Sequence, residues 1–373
     1  MQISPNTSKY DAIGASLRSR HNNFDFIRFA AATLVLVSHS WPLSGTPNEF
    51  FATWSGGVDT GGGLAVCIFF VISGFLITGS FQNARSLGAY ALARVLRILP
   101  GLVFAVLFTI LVIGPLNTTL PLAEYWRHPL TAAYLLNATV FQSSAVLPGV
   151  FETLPDPFMV NGSLWTLPVE VFMYALVVGL GLARVLTVRW LIALVAALFL
   201  LRLNLTVHWG WRWEKQGGVL LGSIPLYSTL RLAFFFFMGS LLYVARDKVP
   251  VRWDLALLCV VAIVACRYTP AGETVFFLLL PYLVHFVAFA RIPGLGIFAK
   301  HGDVSYGIYI FAFPIQQTVM NHAPGLSLPA FIAVSFVATL AMAVVSWKLV
   351  EQPALRLKSI LLPRRMTPAS EMA

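Results

Sequence analysis

Charged side chains are scarce in this chain of 373 residues. Asp, Glu, Lys and Arg together make up 11% of it, whereas ordinary soluble domains contain about a quarter. Apolar residues make up 58% of the chain, and the mean hydropathy is +0.79. Because disordered proteins combine low hydrophobicity with high charge, this composition excludes them and predicts that most of the chain lies in a bilayer.

Cysteine is also rare, with only Cys67, Cys259 and Cys266, each inside an apolar run. This odd number excludes a secreted disulfide scaffold, and the spacing matches no metal site, so we interpret them as small packing residues. The sequence also lacks a usable GxSxG motif, P-loop, HExxH motif or dinucleotide fingerprint. We therefore predict no metal and no permanently bound cofactor.

Positive charge is in excess, with a formal net charge of +10. The basic residues are scattered between apolar runs, and no aromatic and basic module for nucleic acid is present, so a nucleic-acid partner is not predicted. We interpret them as signals of membrane topology. The polar residues 1–23 precede the first apolar run, and we expect no cleavable signal peptide there.

Ten apolar runs are long enough, or nearly so, to cross a hydrocarbon core of about 30 Å. They lie near residues 24–43, 62–82, 93–114, 166–186, 190–206, 229–246, 254–268, 272–290, 303–320 and 328–350. The predicted fold is all-α, a polytopic bundle of ten transmembrane helices in contact with membrane lipids. Its predicted parts are a cytoplasmic segment 1–23, a membrane domain 24–352 and a short basic tail 353–373.

Lys and Arg residues are distributed unequally between the connections on the two sides of the predicted bundle. Eighteen fall on one side, and the six on the other side are Arg127, Arg202, Arg212, Lys215, Arg231 and Arg267. By the positive-inside rule, both termini are predicted to be cytoplasmic. The longest outside connection, near residues 115–165, contains PLTAAYLLNATVF, which is too short to cross and predicts an interfacial or re-entrant helix.

Several ionisable residues lie inside or beside the apolar runs, where charge is costly and often functional. Arg28 and His39 are eleven residues apart in the first run, which places them about 20° apart on one helical face and about 16 Å apart along its axis. Alternatively, Arg28 reaches cytoplasmic headgroups and His39 bonds a neighbouring helix. Arg94 and Arg97 lie on one helical face at the predicted cytoplasmic boundary. Anchoring of the helix at the membrane surface explains both residues, and the alternative is a binding site for the anionic groups of a phosphorylated ligand.

The fourth run begins with a possible cap at Thr166, and Glu170 enters the membrane behind it. A carboxylate there is stabilised by the positive end of the helix, so capping alone could explain Glu170. Otherwise Glu170 could orient a histidine or accept a hydrogen bond from a sugar hydroxyl. Ser73 and Gly74 interrupt the second run, and their small size favours close helix packing.

Six pieces of the chain, in order, resemble the acyltransferase-3 family of bacterial integral-membrane O-acyltransferases. They are FDFIRFAAATLVLVSH at 24–39, FFVISGFLI at 69–77, RVLR at 94–97, SLWTLPVEVFMY at 163–174, SYGIYIFAFP at 305–314 and VEQP at 350–353. Together they span nearly the whole chain. One departure is Ala312, where many members of the family have a histidine.

The resemblance implies a ten-helix enzyme of the bacterial inner membrane. Such an enzyme moves an acyl group, usually acetyl, from cytoplasmic acyl-CoA to a hydroxyl of an envelope saccharide or glycolipid. Carried over by position, His39 is the expected catalytic histidine and Glu170 an active-site carboxylate. Arg28, Arg94 and Arg97 are the expected acyl-CoA-binding residues.

The chemistry of such a transfer suits these residues, because imidazole can act as a base near neutral pH and arginine binds phosphate oxygens. A transporter or flippase for a lipid-linked saccharide is the main alternative, since ionisable groups also line transport pathways. The two halves of the chain show no obvious repeat or paired broken helices, which weakens that alternative. A structural subunit of an export complex would leave the shared face of Arg28 and His39 unexplained.

Overall fold

The computed structural model of the chain describes residues 22–141, 144–209, 218–220, 224–295 and 302–361. Within these ranges the chain is helical apart from loops and two short antiparallel strands, β1 (Val219–Leu220) and β2 (Ile224–Pro225). The all-α prediction is thereby confirmed. Most of the segment 1–23, the end of the tail 353–373, and Arg212 and Lys215 of the charge comparison lie outside the described residues.

The helices follow the predicted runs closely. In chain order they are α1 Phe24–Leu43, α2 Phe50–Trp54, α3 Gly61–Gln82, α4 Leu87–Phe108, α5 Gly114–Asn117, α6 Leu122–Arg127, α7 Pro129–Ala133, α8 Thr166–Leu182, α9 Val188–Trp209, α10 Leu226–Val244, α11 Trp253–Cys266, α12 Gly272–Phe289, α13 Ser305–His322, α14 Leu328–Ser346 and α15 Gln352–Leu361. Two π-helical turns, Thr109–Ile113 and Trp347–Glu351, join α4 to α5 and α14 to α15.

Each of the ten predicted runs forms a helix. Among the described residues, seven helical segments are long and apolar enough to cross a membrane: Phe24–Leu43, Gly61–Gln82, Leu87–Asn117, Val188–His208, Leu226–Val244, Gly272–Phe289 and Leu328–Leu357. Helices α8 and α11 are apolar but shorter, and α13 carries polar side chains such as Gln316 and Gln317. The chain is thus a multi-pass membrane protein, while the count of ten spans and the cytoplasmic termini remain predictions.

The third predicted run, 93–114, starts too late. Helix α4 begins at Leu87 because the Ser86 side chain caps it, accepting a hydrogen bond from the backbone N–H of Ala89 at 3.1 Å. The hydropathy pattern alone does not register such a cap. The earlier start places Arg94 and Arg97 about two to three turns inside the helix instead of at its first turn.

A π-helical turn, Thr109–Ile113, follows the C-terminal end of α4. Such turns take carbonyl groups out of the regular hydrogen-bond ladder. The hydroxyl of Tyr125, on α6, donates to the carbonyl oxygen of Ile110 at 2.9 Å and so satisfies one of them. This hydrogen bond connects α6, in the loop after α4, to the bundle.

Helices α3 and α10 make the most intimate contact in the bundle. A Cβ atom added at Gly74 would overlap the carbonyl oxygen of Phe236, and one added at Gly239 would overlap that of Val71. The hydroxyl of Ser240 also donates to the carbonyl of Gly74, at 3.3 Å. Because the two backbones touch, the predicted packing role of Gly74 is confirmed.

The connection at residues 115–165 is ordered into short helical pieces. The predicted interfacial segment forms α7 and a 3-10 helix, Tyr134–Thr139. Asn137 closes its end, because its side-chain amide donates to the carbonyl of Ser144 at 3.0 Å and its oxygen accepts from the backbone N–H of the same residue. The segment is helical, and its depth in the membrane stays a prediction.

Candidate active site

One cavity of about 120 Å³ opens between α1, α3, α4, α8 and α13, enough space for several water molecules. Its polar lining comprises Arg28, Ser73, Arg94, Arg97, Thr166, Glu170, Tyr174, Ser305, Tyr306 and Tyr309. The apolar lining comprises Val66, Phe69, Phe70, Leu76, Ile77, Ile98 and Leu167. Four of the five site residues proposed from sequence therefore meet in one cavity, and His39 is not among its lining residues.

Asp303, two residues before the start of α13, pairs with two of the arginines. Arg97 forms an ion pair with its carboxylate, and Nη1 of Arg28 lies 3.4 Å from the same oxygen. Arg28 also pairs with Asp25 of its own helix, at 3.4 Å. The carboxylate of Asp303 also accepts hydrogen bonds from the backbone N–H of Ser305, at 3.2 Å, and from the Ser305 hydroxyl. Asp303 is thus held by α1, α4 and the first residue of α13.

Arg97 is held from a second direction by an aromatic ring. Its guanidinium carbon lies 5.9 Å from the centre of the Tyr306 ring, a cation–π geometry. The hydroxyl of Tyr306 in turn donates to the carbonyl oxygen of Ile98 at 2.9 Å. A Cβ atom at Gly101 would lie only 2.7 Å from that ring, so α4 and α13 are closely packed here. The guanidinium of Arg97 is consequently held in a fixed position at the wall of the cavity.

Arg94 is less constrained than its neighbour. Its Nη2 lies 3.4 Å from the hydroxyl of Ser80, and its buried Nε has no hydrogen-bond partner among the described residues. It therefore retains N–H donors for an anionic ligand. Since Arg94 and Arg97 both line the cavity, their placement favours the ligand-binding interpretation over simple anchoring.

Glu170 lies in the second turn of α8 and lines the same cavity. Its Oε1 accepts hydrogen bonds from two hydroxyl groups, that of Ser73 on α3 at 2.9 Å and that of Tyr174 one turn along α8. The expected cap at Thr166 is wrong, because Trp165 occupies the cap position and no side chain caps the helix. The hydroxyl of Thr166 is instead 2.7 Å from that of Tyr309, which joins α8 to α13.

His39 lies against α13 near the opposite end of α1 from Arg28. Its ring packs edge-to-face on Phe313, with 5.3 Å between ring centres. Phe313 is four residues, or about 6 Å of helix, beyond the cavity residue Tyr309. The separation of eleven positions between Arg28 and His39 places the imidazole about 16 Å further along α1, and for this reason the shared face does not bring both into the cavity. No hydrogen bond within the described residues joins His39 to Glu170.

The other histidine inside the bundle is structural, as predicted. His285 is fully buried, its Nδ1 lies 2.9 Å from the carbonyl oxygen of Pro281, and its ring packs on Phe75 at 4.7 Å. In the described ranges, no three His, Cys, Asp or Glu side chains come together as a metal site. At the family position of Ala312, the side chain is fully buried and apolar.

Sequence reasoning missed three groups of the site. Asp303 lies at the start of the predicted run 303–320, where its lone carboxylate is a signal of ion pairing that hydropathy does not register. The small size of Ser73 predicts packing, and Tyr174 carries no signal of its own in an apolar run. The spacing of Glu170 and Tyr174 does place them on one helical face, but nothing in the sequence indicates that Ser73 faces them from α3.

Comparison with the sequences of known proteins identifies the family of this chain. A family model described as an acyltransferase domain, that of the acyltransferase-3 family, matches residues 21–349. An O-acetyl transferase of Shigella phage Sf6 is 32% identical over 341 residues, which cover 89% of this chain and 96% of the phage protein. Nodulation protein 10 of Rhizobium leguminosarum bv. viciae is 30% identical over 376 residues, which cover 93% of this chain and 97% of the nodulation protein. No solved structure matches the chain. The chain belongs to the acyltransferase-3 family and is an O-acyltransferase, an enzyme that requires an acyl donor and an acceptor.

Proposed function

We propose that this enzyme transfers an acetyl group from cytoplasmic acetyl-CoA to a hydroxyl group of an envelope or extracellular saccharide. The observation that carries the proposal is the cavity in which Arg28, Arg94 and Arg97 face the same space as the carboxylate of Glu170. The name of the phage relative, an O-acetyl transferase, supports acetyl as the acyl group. The proposed location is the inner membrane of a bacterium, with lipids around the bundle.

The donor is held in this proposal by the arginines. CoA carries several phosphate charges, and planar guanidinium groups suit phosphate oxygens. Asp303 balances part of the charge of Arg28 and Arg97, whereas Arg94 has a buried Nε without a partner in the described part of the chain. We assign Arg94 and Arg97 to the phosphates at the cytoplasmic mouth and the apolar lining of the cavity to the acetyl end.

The transfer itself forms one bond and breaks another. The acceptor hydroxyl oxygen attacks the thioester carbonyl carbon, the carbon–sulfur bond breaks, and CoA leaves as a thiolate. In the proposal, His39 takes the proton of the hydroxyl and returns it to the departing sulfur. The acceptor would enter past Phe313, from the side on which His39 lies. Glu170, which has no hydrogen bond to His39, would accept a hydrogen bond from a hydroxyl in the cavity.

The test measures CoA release from acetyl-CoA by the purified protein in lipid nanodiscs, with an extract of envelope glycans supplied as the acceptor of the acetyl group. Release by the wild-type protein is expected, and no release would refute the proposal. Arg97→Ala should raise the KM for acetyl-CoA about 10-fold or more, because a charge-assisted hydrogen bond is lost. The matched control is Arg189→Ala, an exposed arginine that stacks on Trp190 outside the cavity. An unchanged KM in well-folded Arg97→Ala would return this residue to membrane anchoring.

The acceptor is identified by a second measurement. Envelope glycans from cells with and without the gene are compared by mass spectrometry. Loss of acetyl mass from one glycan would name the acceptor and the acyl group together. Identical glycan masses would contradict the saccharide acceptor while leaving CoA release as a separate result.

A further inference from the structure

The carboxylate of Glu170 is held asymmetrically. Both of its hydrogen bonds, from Ser73 and from Tyr174, end on Oε1. No described residue donates to Oε2. Because Glu170 also lines the cavity, the oxygen left without a protein donor is the one available to a ligand there.

The two donors are themselves fixed by the fold. Ser73 directly precedes Gly74, whose backbone touches that of α10, so the position of the Ser73 hydroxyl along α3 is determined by helix packing. Tyr174 is buried, and its carbonyl oxygen accepts a hydrogen bond from the hydroxyl of Tyr90 on α4, at 3.2 Å. Three helices thus combine to orient one carboxylate.

We propose that Ser73 and Tyr174 are positioning residues, which hold Oε1 of Glu170 so that Oε2 points into the cavity as the acceptor of a hydrogen bond from substrate. This inference rests on the proposed function, because it assigns the role of Glu170 in that site. The competing explanation is that the two hydroxyls merely satisfy a buried carboxylate and so support folding. In that case their loss would change stability and leave catalysis by the remaining folded protein unchanged.

The kinetic test uses acetyl-CoA alone, with water as the acceptor, and compares Ser73→Ala and Tyr174→Phe with wild type. Each variant should lower kcat about 10-fold or more while the KM for acetyl-CoA stays within about twofold, since misplacement of a site group affects the reaction more than donor binding. Ser73→Thr keeps a hydroxyl and should recover most of the rate. The control Tyr125→Phe removes a hydroxyl whose one hydrogen bond among the described residues is to the carbonyl of Ile110, and its kcat should not change.

A spectroscopic test does not depend on activity. The infrared difference between wild type and Glu170→Gln isolates the carboxylate stretching bands of Glu170. Ser73→Ala and Tyr174→Phe should shift these bands, because each removes a hydrogen bond from Oε1, and Tyr125→Phe should leave them in place. Unshifted bands, or a normal kcat in folded Ser73→Ala and Tyr174→Phe, would overturn the inference. If wild type releases no CoA, the proposed function fails, and the infrared bands then show separately whether Ser73 and Tyr174 bond Glu170, as the inference requires.

Discussion

A buried imidazole nitrogen without a partner is costly, and Nδ1 of His39 is such an atom within the described part of the chain. Native proteins leave few polar atoms in this state, and each one calls for an explanation. The apolar contact of its ring with Phe313 supplies none. A substrate or a bound water that completes the hydrogen bonding of the ring would supply one. Because Nε2 of the structural His285 is also buried without a partner among the described residues, this feature alone does not make His39 catalytic, and substitution of His39 decides its role.

The first prediction at the residue scale concerns this imidazole. If His39 is the base, His39→Ala should insert normally and lose at least about 10²-fold in acetyl transfer, a loss that more donor does not recover. His39→Gln retains hydrogen-bonding capacity without a titrating ring and should be nearly as inactive. Transfer is measured with radiolabelled acetyl-CoA, and insertion by membrane fractionation. Substantial transfer by the Gln variant would restore a packing role.

The second prediction concerns the carboxylate of Asp303. Because Asp303 pairs with the partly buried guanidinium groups of Arg28 and Arg97, Asp303→Asn would leave both cations without this counter-charge. It should lower the free energy of unfolding at pH 7 by about 3 kcal/mol. Unfolding is followed by circular dichroism in detergent.

A matched carboxylate provides the control for this experiment. Asp254 pairs with Arg252 at the bundle surface, where both side chains are more than a third exposed. Exposed ion pairs contribute little to stability, so Asp254→Asn should unfold like wild type at pH 7. Equal destabilisation by the two variants would show that the ion pairs of Asp303 with Arg28 and Arg97 stabilise the fold no more than an exposed pair does.

At the scale of elements, the contact between α3 and α10 depends on two glycines. Gly74→Ala or Gly239→Ala would force a methyl group against the carbonyl oxygen of the facing helix. Backbone atoms cannot rotate away, so each variant should cost about 1–3 kcal/mol. Thermal unfolding of the purified protein measures the loss. Gly179→Ala, at a helical position where a Cβ would meet nothing within 4 Å, should be neutral or slightly stabilising.

Most elements could be predicted from the sequence because a spanning helix needs a long apolar run and little else. What hydropathy does not encode is a cap such as Ser86, which added about two turns to α4, or the π-helical turn at Thr109–Ile113. The arginines and Glu170 stood out because charge is rare in such runs. Asp303 and Ser73 did not, since their partners lie 206 and 97 residues away in sequence and only the folded bundle brings them together.

At the scale of the whole molecule, the predicted orientation remains open to a direct test. With the native cysteines replaced by serine, Phe50→Cys and Phe141→Cys mark the connections near Phe50 and Val140, and both positions are exposed. Both should react with a membrane-impermeant maleimide added from outside intact spheroplasts. Lys248→Cys, in a connection predicted to be cytoplasmic, should react only after the cells are opened. Labelling of the first two positions from the cytoplasmic side alone would refute the topology.

The ion pair between Arg28 and Asp303 has a consequence for biosynthesis. The two residues are 275 positions apart, so the ribosome needs on the order of tens of seconds to make the second after the first. During that interval the newly made first helix carries a guanidinium whose final partner does not yet exist. Asp25, three residues before Arg28 and already paired with it, travels on the same helix. The nascent chain thus carries a counter-charge for Arg28 on the same helix, and Asp303 joins this pair only after α13 has been made.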